Sequence, residues 1–258
     1  CKIGGFAIGC QAYTFNRFSV MEAIEKTALT GSKVIEFYPG QKLSSDQPDV
    51  KWDHNASAEV IAQVKAQLAK HGVRAVNYGV VGAKDVAEWR AIFEFARKLG
   101  LYAVTTEGVT QLDIIEPLVK EFDISLAIHN HPRQADNPNY KVWDPAYVLS
   151  MVKDRDARIG ACVDVGHWAT SGIVPLDGIK LLQGRIVSGH LKDRTAVGKS
   201  TEDVPFGAGI SNFKGILDEL KRQGFAGNLS IEYETKWDNS VPDVAQCVGF
   251  FRGYATCQ

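Results

Sequence analysis

Residues 160–165 read G-A-C-V-D-V and residues 186–192 read I-V-S-G-H-L-K, and both are short runs rich in apolar side chains. Between them, residues 176–182 read L-D-G-I-K-L-L, with apolar side chains at the spacing of one helix face. A strand, a helix and a second strand in this order form a βαβ unit whose two strands run parallel. This stretch therefore predicts a parallel sheet covered by helices.

The same alternation continues along the chain in both directions. Predicted strands lie at residues 8–15, 33–38, 73–78, 102–107, 125–130, 160–165, 186–192 and 229–234. Predicted helices lie between and after them, at residues 20–29, 56–70, 83–99, 112–121, 145–152, 176–182, 212–223 and 241–254. Eight strands and eight helices predict a closed (β/α)₈ (TIM) barrel of the α/β class, with residues 1–258 as a single domain. A doubly wound open sheet is the alternative, but no G-x-G-x-x-G motif follows the first strand.

The composition excludes several classes of function. The 29 basic and 30 acidic residues leave a formal net charge of −1, without the basic stripe expected of a nucleic-acid-binding protein. No apolar run reaches the roughly 18 residues of a membrane span. The five cysteines include no C-x-x-C pair, which argues against a zinc ribbon or a disulfide scaffold. The chain starts at Cys1, so a lipoprotein anchor exposed by signal cleavage stays an open alternative.

Polar side chains gather at the carboxyl ends of the predicted strands, where a barrel places its active site. They are Gln11, Tyr13, Glu36, Asn77, Glu107, His129, Asn130, His131, Asp164, His167, His190, Lys192, Glu232 and Glu234. Side chains two residues apart on a strand share a face, so the pairs at 129/131, 190/192 and 232/234 point together. Charges in a barrel lumen need a counter-ion, and carboxylates with imidazoles are typical ligands of a divalent metal ion.

At these residues the chain resembles the xylose-isomerase-like barrel superfamily, the sugar isomerase/epimerase group that also includes endonuclease IV. The segments that carry the resemblance are C-Q-A-Y-T-F-N (10–16), A-I-H-N-H-P (127–132), A-C-V-D-V-G-H-W (161–168), G-H-L-K-D (189–193) and S-I-E-Y-E (230–234). The resemblance implies one divalent ion (Mn²⁺, Co²⁺, Zn²⁺ or Mg²⁺) bound by Asp164, His190 and Glu232. Relatives usually take a further Glu from the fifth strand, where this chain has His129-Asn130-His131. We therefore expect Glu107, on the fourth strand, to be the fourth ligand.

The resemblance implies proton abstraction next to the carbonyl of an open-chain or 3-keto sugar, which is a small-molecule carbohydrate substrate. The catalytic candidates are His129 or His131 as base, Lys192 for electrostatic stabilisation, and Glu232. The candidates for substrate contact are Tyr13, Glu36, His167, Trp168 and Glu234. Because histidines replace the usual carboxylate, a 3-keto-glycoside lyase or hydratase is an alternative outcome of the same chemistry.

Two other classes of function are weighed as well. A non-catalytic sugar-binding barrel is an alternative, although a binder has no need of Asp164, His190 and Glu232 together. Endonuclease IV-like DNA repair is disfavoured, because it requires more metal ligands and a basic face. The resemblance to secreted bacterial proteins implies a removed signal peptide and a periplasmic or secreted location. A homo-oligomer is left open.

Overall fold

The computed structural model describes residues 2–198 and 201–256. In these residues, eight parallel strands close a barrel in which each strand pairs with its neighbour in the chain and the first pairs with the last. The strands are β1 Ala7–Gln11, β2 Val34–Phe37, β3 Arg74–Tyr78, β4 Ala103–Thr106, β5 Ser125–His129, β6 Ile159–Asp164, β7 Ile186–Leu191 and β8 Asn228–Ile231. The prediction of a single-domain (β/α)₈ barrel is confirmed. Cys1, the basis of the lipoprotein alternative, lies outside the described residues.

Helices cover the outside of the barrel. They are α1 Val20–Leu29, α2 Ala58–His71, α3 Val86–Leu99, α4 Leu112–Phe122, α5 Pro145–Val152, α6 Val165–Thr170, α7 Pro175–Leu181, α8 Phe213–Arg222 and α9 Val241–Thr256. Helix α1 begins with a capping box between Ser19 and Glu22. Helices α2 and α3 end at Gly72 and Gly100, whose positive φ angles of 62° and 70° are favourable for glycine. Among the described residues, no helix combines the length and apolar character that crossing a membrane requires.

Seven of the eight strands end earlier than the sequence predicts, and at the ends of β1 and β6 a polar side chain caps the turn that follows. After Gln11, residues Ala12–Phe15 form a short 3₁₀ turn, because the Gln11 side chain accepts the Tyr13 N–H and caps the turn. After Asp164, the chain turns at once into α6, because the Asp164 carboxylate accepts the His167 N–H at 2.8 Å. Both endings lie at the carboxyl mouth of the barrel, where they fix the direction of polar side chains.

The apolar core lies between the barrel and the helices, and its largest buried side chains are aromatic. They include Trp52, Trp89, Phe37, Phe93, Phe95 and Phe251. The barrel lumen, by contrast, contains many polar and charged side chains that are fully buried. Since burial of a charge is costly unless it is paired, the lumen is the part of the molecule where a functional explanation is needed.

Candidate active site

Four side chains from consecutive strands converge at the carboxyl mouth of the barrel. His129 ends β5, Asp164 ends β6, His190 lies in β7 and Glu232 follows β8. All four are buried, and one potential ligand atom from each lies within 4.8 Å of the others. The strand register accounts for this, because Asp164 is opposite His190 and His129 is opposite Cys162. We refer to these four residues as the central cluster.

Three imidazole nitrogens of the central cluster, His129 Nε2 and both ring nitrogens of His190, lack an aligned hydrogen-bond partner among the described residues. His129 Nε2 lies 3.6 Å from Asp164 Oδ2, and His190 Nδ1 lies 3.1 Å from Glu232 Oε2. Leaving such buried nitrogens without a partner costs free energy, so their presence calls for an explanation. Two imidazoles and two carboxylates form a donor set that suits Zn²⁺, Mn²⁺ or Co²⁺. The residues of the central cluster therefore fit a divalent metal ion.

Lys192 lies inside the central cluster and is 0% exposed. Its Nζ is 2.5 Å from Asp164 Oδ2, donates a hydrogen bond to Glu232 Oε2, and lies 3.6 Å from Glu234 Oε2. Burial alone would lower the pKa of Lys192, but the carboxylates of Asp164 and Glu232 hold it well above its usual value. A side chain at Gly166 would not fit beside this lysine, since an added Cβ would lie 2.4 Å from the Lys192 Cβ. The ammonium supplies one positive charge between the two carboxylates.

Glu107 lies on the opposite side of the His129 ring from Asp164. Its Oε1 is 3.2 Å from His129 Nδ1 and 2.5 Å from His131 Nδ1, and it accepts a hydrogen bond from Tyr140 at 2.9 Å. Burial would raise the pKa of Glu107, but the hydrogen bonds from the two histidines outweigh it and hold the pKa below its usual range. An ionised carboxylate only accepts hydrogen bonds, so a proton on His129 Nδ1 satisfies this contact, and Nε2 then faces Asp164.

Glu107, expected as the fourth ligand, lies outside the central cluster and forms a separate group with His129 and His131. Glu107 follows the last residue of β4, and the oxygen that faces the histidines already has three donors. His129, one strand further along the barrel, brings its Nε2 to Asp164 instead. The central cluster and Glu107 thus meet at the His129 ring, whose Nδ1 faces Glu107 and whose Nε2 faces Asp164.

Glu36, expected to contact substrate, lies beneath the central cluster and is 0% exposed. Its Oε1 is 3.0 Å from His190 Nε2, and its Oε2 accepts hydrogen bonds from Ser230 at 2.7 Å and Asn228 at 3.3 Å. A shift of register in β2 between Ile35 and Glu36 accompanies this inward placement. Glu36 thus stands behind His190 as Glu107 stands behind His129.

Above the central cluster, a cavity of about 300 Å³ opens to solvent. Six of the residues singled out from the sequence meet in its lining, namely Gln11, Tyr13, His129, His131, Glu232 and Glu234. Tyr13 is 40% exposed and its ring packs edge-on against its aromatic neighbours Tyr38 and Trp237. The volume is at the lower end of the range for small-molecule sites.

A second cavity of about 410 Å³ adjoins the first and shares His131 and Glu234 with it. Its remaining lining residues are Pro132, Arg133, Gln134, His167, Thr170 and Arg194. His167 is 4% exposed, and its Nδ1 is buried without a hydrogen-bond partner in the described part of the chain. Trp168, by contrast, is 2% exposed and packs beside Gly178 of α7, so its ring belongs to the helical shell.

Two functional neighbours were not singled out from the sequence. Tyr140 lies in the loop after β5, where no periodic pattern reveals which side chains point inward. Asp203 accepts the Glu234 N–H at 2.6 Å and lies 3.1 Å from Arg194 Nε, so it holds the backbone beside the mouth. Burial raises the pKa of Asp203 to about 6, although Arg194 opposes the shift. Tyr140 lies in a loop and Asp203 in a short two-stranded sheet with Asp193–Arg194, so neither belongs to the barrel strands whose pattern predicts the site.

Comparison with known proteins agrees with this geometry. The family model described as xylose isomerase-like TIM barrel matches residues 24–253. The chain belongs to this family. An uncharacterised protein of Methanocaldococcus jannaschii, MJ1311, is 30% identical over 130 residues, which are 48% of this chain. The match spans only 41% of the length of that relative.

Two solved structures extend the likeness over nearly the whole barrel. An uncharacterised protein from Parabacteroides distasonis is 31% identical and has a TM-score of 0.77, covering 98% of this chain and 100% of its own. A D-tagatose 3-epimerase-like protein has a TM-score of 0.75 at 18% identity, covering 98% of each chain. At that identity the second structure shows a shared xylose isomerase-like fold.

Proposed function

We propose that this chain is a divalent-metal-dependent isomerase or epimerase that moves a proton next to the carbonyl of a carbohydrate. The observation that carries the proposal is the central cluster, in which two imidazoles and two carboxylates are buried under an open cavity. Membership of the xylose isomerase-like family supports it. So does the shared fold of the D-tagatose 3-epimerase-like protein, whose name refers to a reaction of this type.

The ion would be held by His129, Asp164, His190 and Glu232, and mixed nitrogen and oxygen donors favour Mn²⁺, Co²⁺ or Zn²⁺ over Mg²⁺. When bound, it would act as a Lewis acid that polarises substrate oxygens beside the reacting carbon. The two orienting carboxylates, Glu107 and Glu36, keep the imidazoles turned toward the cluster.

His131 is the residue best situated to move the proton. Its side chain is 48% exposed in the mouth cavity, and Glu107 lies 2.5 Å from its Nδ1. If Nδ1 carries the proton of that hydrogen bond, Nε2 is the nitrogen left to accept one from substrate. Tyr140 donates to the same carboxylate and accepts the His131 N–H at 2.7 Å, which holds the imidazole in place. Tyr13 offers an exposed ring to a sugar face, and Glu234 offers a carboxylate to hydroxyl groups.

A second candidate outcome is elimination from a 3-keto-glycoside. The cavity on the far side of His131 and Glu234 supports this alternative, because it provides space for a leaving group next to the reacting ring. His167 lines this cavity, so such a substituent would lie beside its side chain. Both outcomes begin with the same proton abstraction and differ in what leaves afterwards.

The experiment that tests the proposal is incubation of the metal-loaded protein with a panel of sugars and 3-keto-glycosides in D₂O. Mass spectrometry of the products would then locate deuterium. Deuterium at one carbon without loss of a group supports isomerisation or epimerisation, and loss of an alcohol supports elimination. Metal bound at the central cluster without turnover or exchange of any substrate would favour the sugar-binding barrel instead. The absence of nucleic-acid binding and the periplasmic location stay predictions from the sequence.

A further inference from the structure

The ammonium of Lys192 and the proposed metal ion require the same atoms. Lys192 Nζ contacts Asp164 Oδ2 at 2.5 Å and donates to Glu232 Oε2. These oxygens also face the unpaired nitrogens, with Asp164 Oδ2 3.6 Å from His129 Nε2 and Glu232 Oε2 3.1 Å from His190 Nδ1. A cation placed among the four ligands would therefore meet Lys192 at both carboxylates.

Charge makes simultaneous occupation unfavourable. Asp164 and Glu232 supply two negative charges, and Lys192 already balances one of them. A divalent ion added at the same oxygens would place like charges in contact in a site whose side chains are at most 7% exposed, where repulsion is poorly screened. One of the two cations has to leave these oxygens when the other binds.

A second acceptor for the lysine is close by. Glu234 Oε2 lies 3.6 Å from Lys192 Nζ and 3.5 Å from Arg194 Nη2, and the Glu234 side chain is 23% exposed. Glu234 lines the mouth cavity, whereas Lys192 is fully buried. A change of rotamer in the long lysine side chain would move the ammonium from the central cluster to Glu234 at the edge of the cavity.

We propose that Lys192 is an internal cation that stands in the metal's place in the metal-free protein and moves onto Glu234 when the ion binds. This proposal rests on the metal site of the proposed function and adds a way in which metal binding at that site is regulated. Lys192 stabilises the empty cluster, weakens metal binding by competition, and reaches the substrate cavity only when metal is bound. Competition of this kind is a coupling between two ligands of one site, and typical couplings change affinity by roughly 5- to 150-fold.

The test is metal affinity measured by calorimetric titration of the metal-free protein with Mn²⁺ and with Zn²⁺. Lys192→Met keeps the length of the side chain and removes the charge. We expect it to bind each ion about tenfold more tightly than wild type, within the usual range of coupling energies. The metal-free variant should also unfold at a lower temperature, because Asp164 and Glu232 lose their counter-ion. Lys214→Met removes an exposed lysine charge instead and should change neither quantity.

Glu234→Gln provides an independent variant that leaves Lys192 in place, so it tests the proposal even if Lys192→Met does not fold. Removing the second acceptor should weaken metal binding several-fold. Unchanged or weaker binding by Lys192→Met, or unchanged binding by Glu234→Gln, would overturn the proposal while leaving the metal site intact. If wild type and Asp164→Asn bind the ions equally, the metal site of the proposed function fails, which is a separate result.

Discussion

Two groups of acidic side chains lie on either side of the His129 ring, and they differ in what balances them. On one side, Glu107 is surrounded by donors, with His129, His131 and Tyr140 all directed at one oxygen. On the other, Asp164 and Glu232 share a lysine, while among the described residues three ring nitrogens of His129 and His190 have no aligned hydrogen-bond partner. The first group has its hydrogen bonds satisfied and can serve to orient side chains. The group around Asp164 and Glu232 has lone pairs without a hydrogen-bond donor, and such lone pairs are what a cation-binding site requires.

The largest effect is expected from a change inside the central cluster. Asp164→Asn removes the charge while keeping an oxygen that can cap α6, so the helix should persist. Metal affinity should fall by more than about 100-fold, since even residues behind the ligands typically contribute 10- to 100-fold. Metal content by mass spectrometry after dialysis is the measurement. If the variant keeps a full equivalent of metal, the ion does not bind at the central cluster. The unpartnered imidazole nitrogens there would then need another explanation.

A smaller effect is expected on the Glu107 side. Glu107→Gln weakens the contact that orients His129, so metal affinity and turnover should each fall by roughly 10- to 100-fold. Saturating metal should restore occupancy in this variant. The comparison with Asp164→Asn sharpens the assignment of roles. If Glu107→Gln loses metal as completely as Asp164→Asn does, Glu107 is itself a ligand and His129 is not oriented by it.

Tyr140→Phe should have a milder consequence. The variant removes one of three donors to Glu107 and a hydrogen bond to the His131 backbone, each worth about 1 kcal/mol. Turnover should fall several-fold while metal affinity stays close to that of wild type, because His129 keeps its own contact with Glu107. Steady-state kinetics beside calorimetric titration would measure both. Loss of metal from this variant would contradict the separation of the two groups.

The smallest effect on the site is expected from Asp203, whose carboxylate is only partly stabilised by the neighbouring Arg194. The pKa of Asp203 is raised to about 6 by burial, against the opposing effect of Arg194. The folded protein therefore binds this proton more tightly than the unfolded chain, and its stability falls as pH rises from about 4 to about 6. Asp203→Asn should remove that loss, so its stability relative to wild type should rise by roughly 1–3 kcal/mol across this range. Urea unfolding at pH 4 and pH 7 tests the sign.

The comparison also explains which parts of the site sequence patterns can predict. Alternating strands and helices predict the barrel, and the two-residue period places His190 and Lys192 on one face, as observed in the central cluster. Beyond the last residue of a strand the period no longer fixes the direction of a side chain, although Lys192, one residue past β7, still follows it. Glu107 follows the end of β4, so the pattern could not tell that its carboxylate meets His129 and His131.

The depth at which a side chain lies in the barrel also cannot be predicted from the sequence. Glu36 and Glu232 both occur near strand ends, yet Glu36 lies beneath His190 and Glu232 reaches the mouth cavity. A register shift in β2 accompanies that difference, and a shift of this kind leaves no signal in a single sequence. The contact between Lys192 and the two carboxylates also depends on the space beside Gly166, which only the packing reveals.

The central claim is that the central cluster, and not the Glu107 group, binds the metal ion. The most direct measurement is anomalous diffraction from crystals of the Mn²⁺- or Zn²⁺-loaded protein. We expect one peak about 2.0–2.3 Å from His129 Nε2, His190 Nδ1 and an oxygen each of Asp164 and Glu232. A peak against Glu107 and His131, or no peak at the central cluster under saturating metal, would contradict the account.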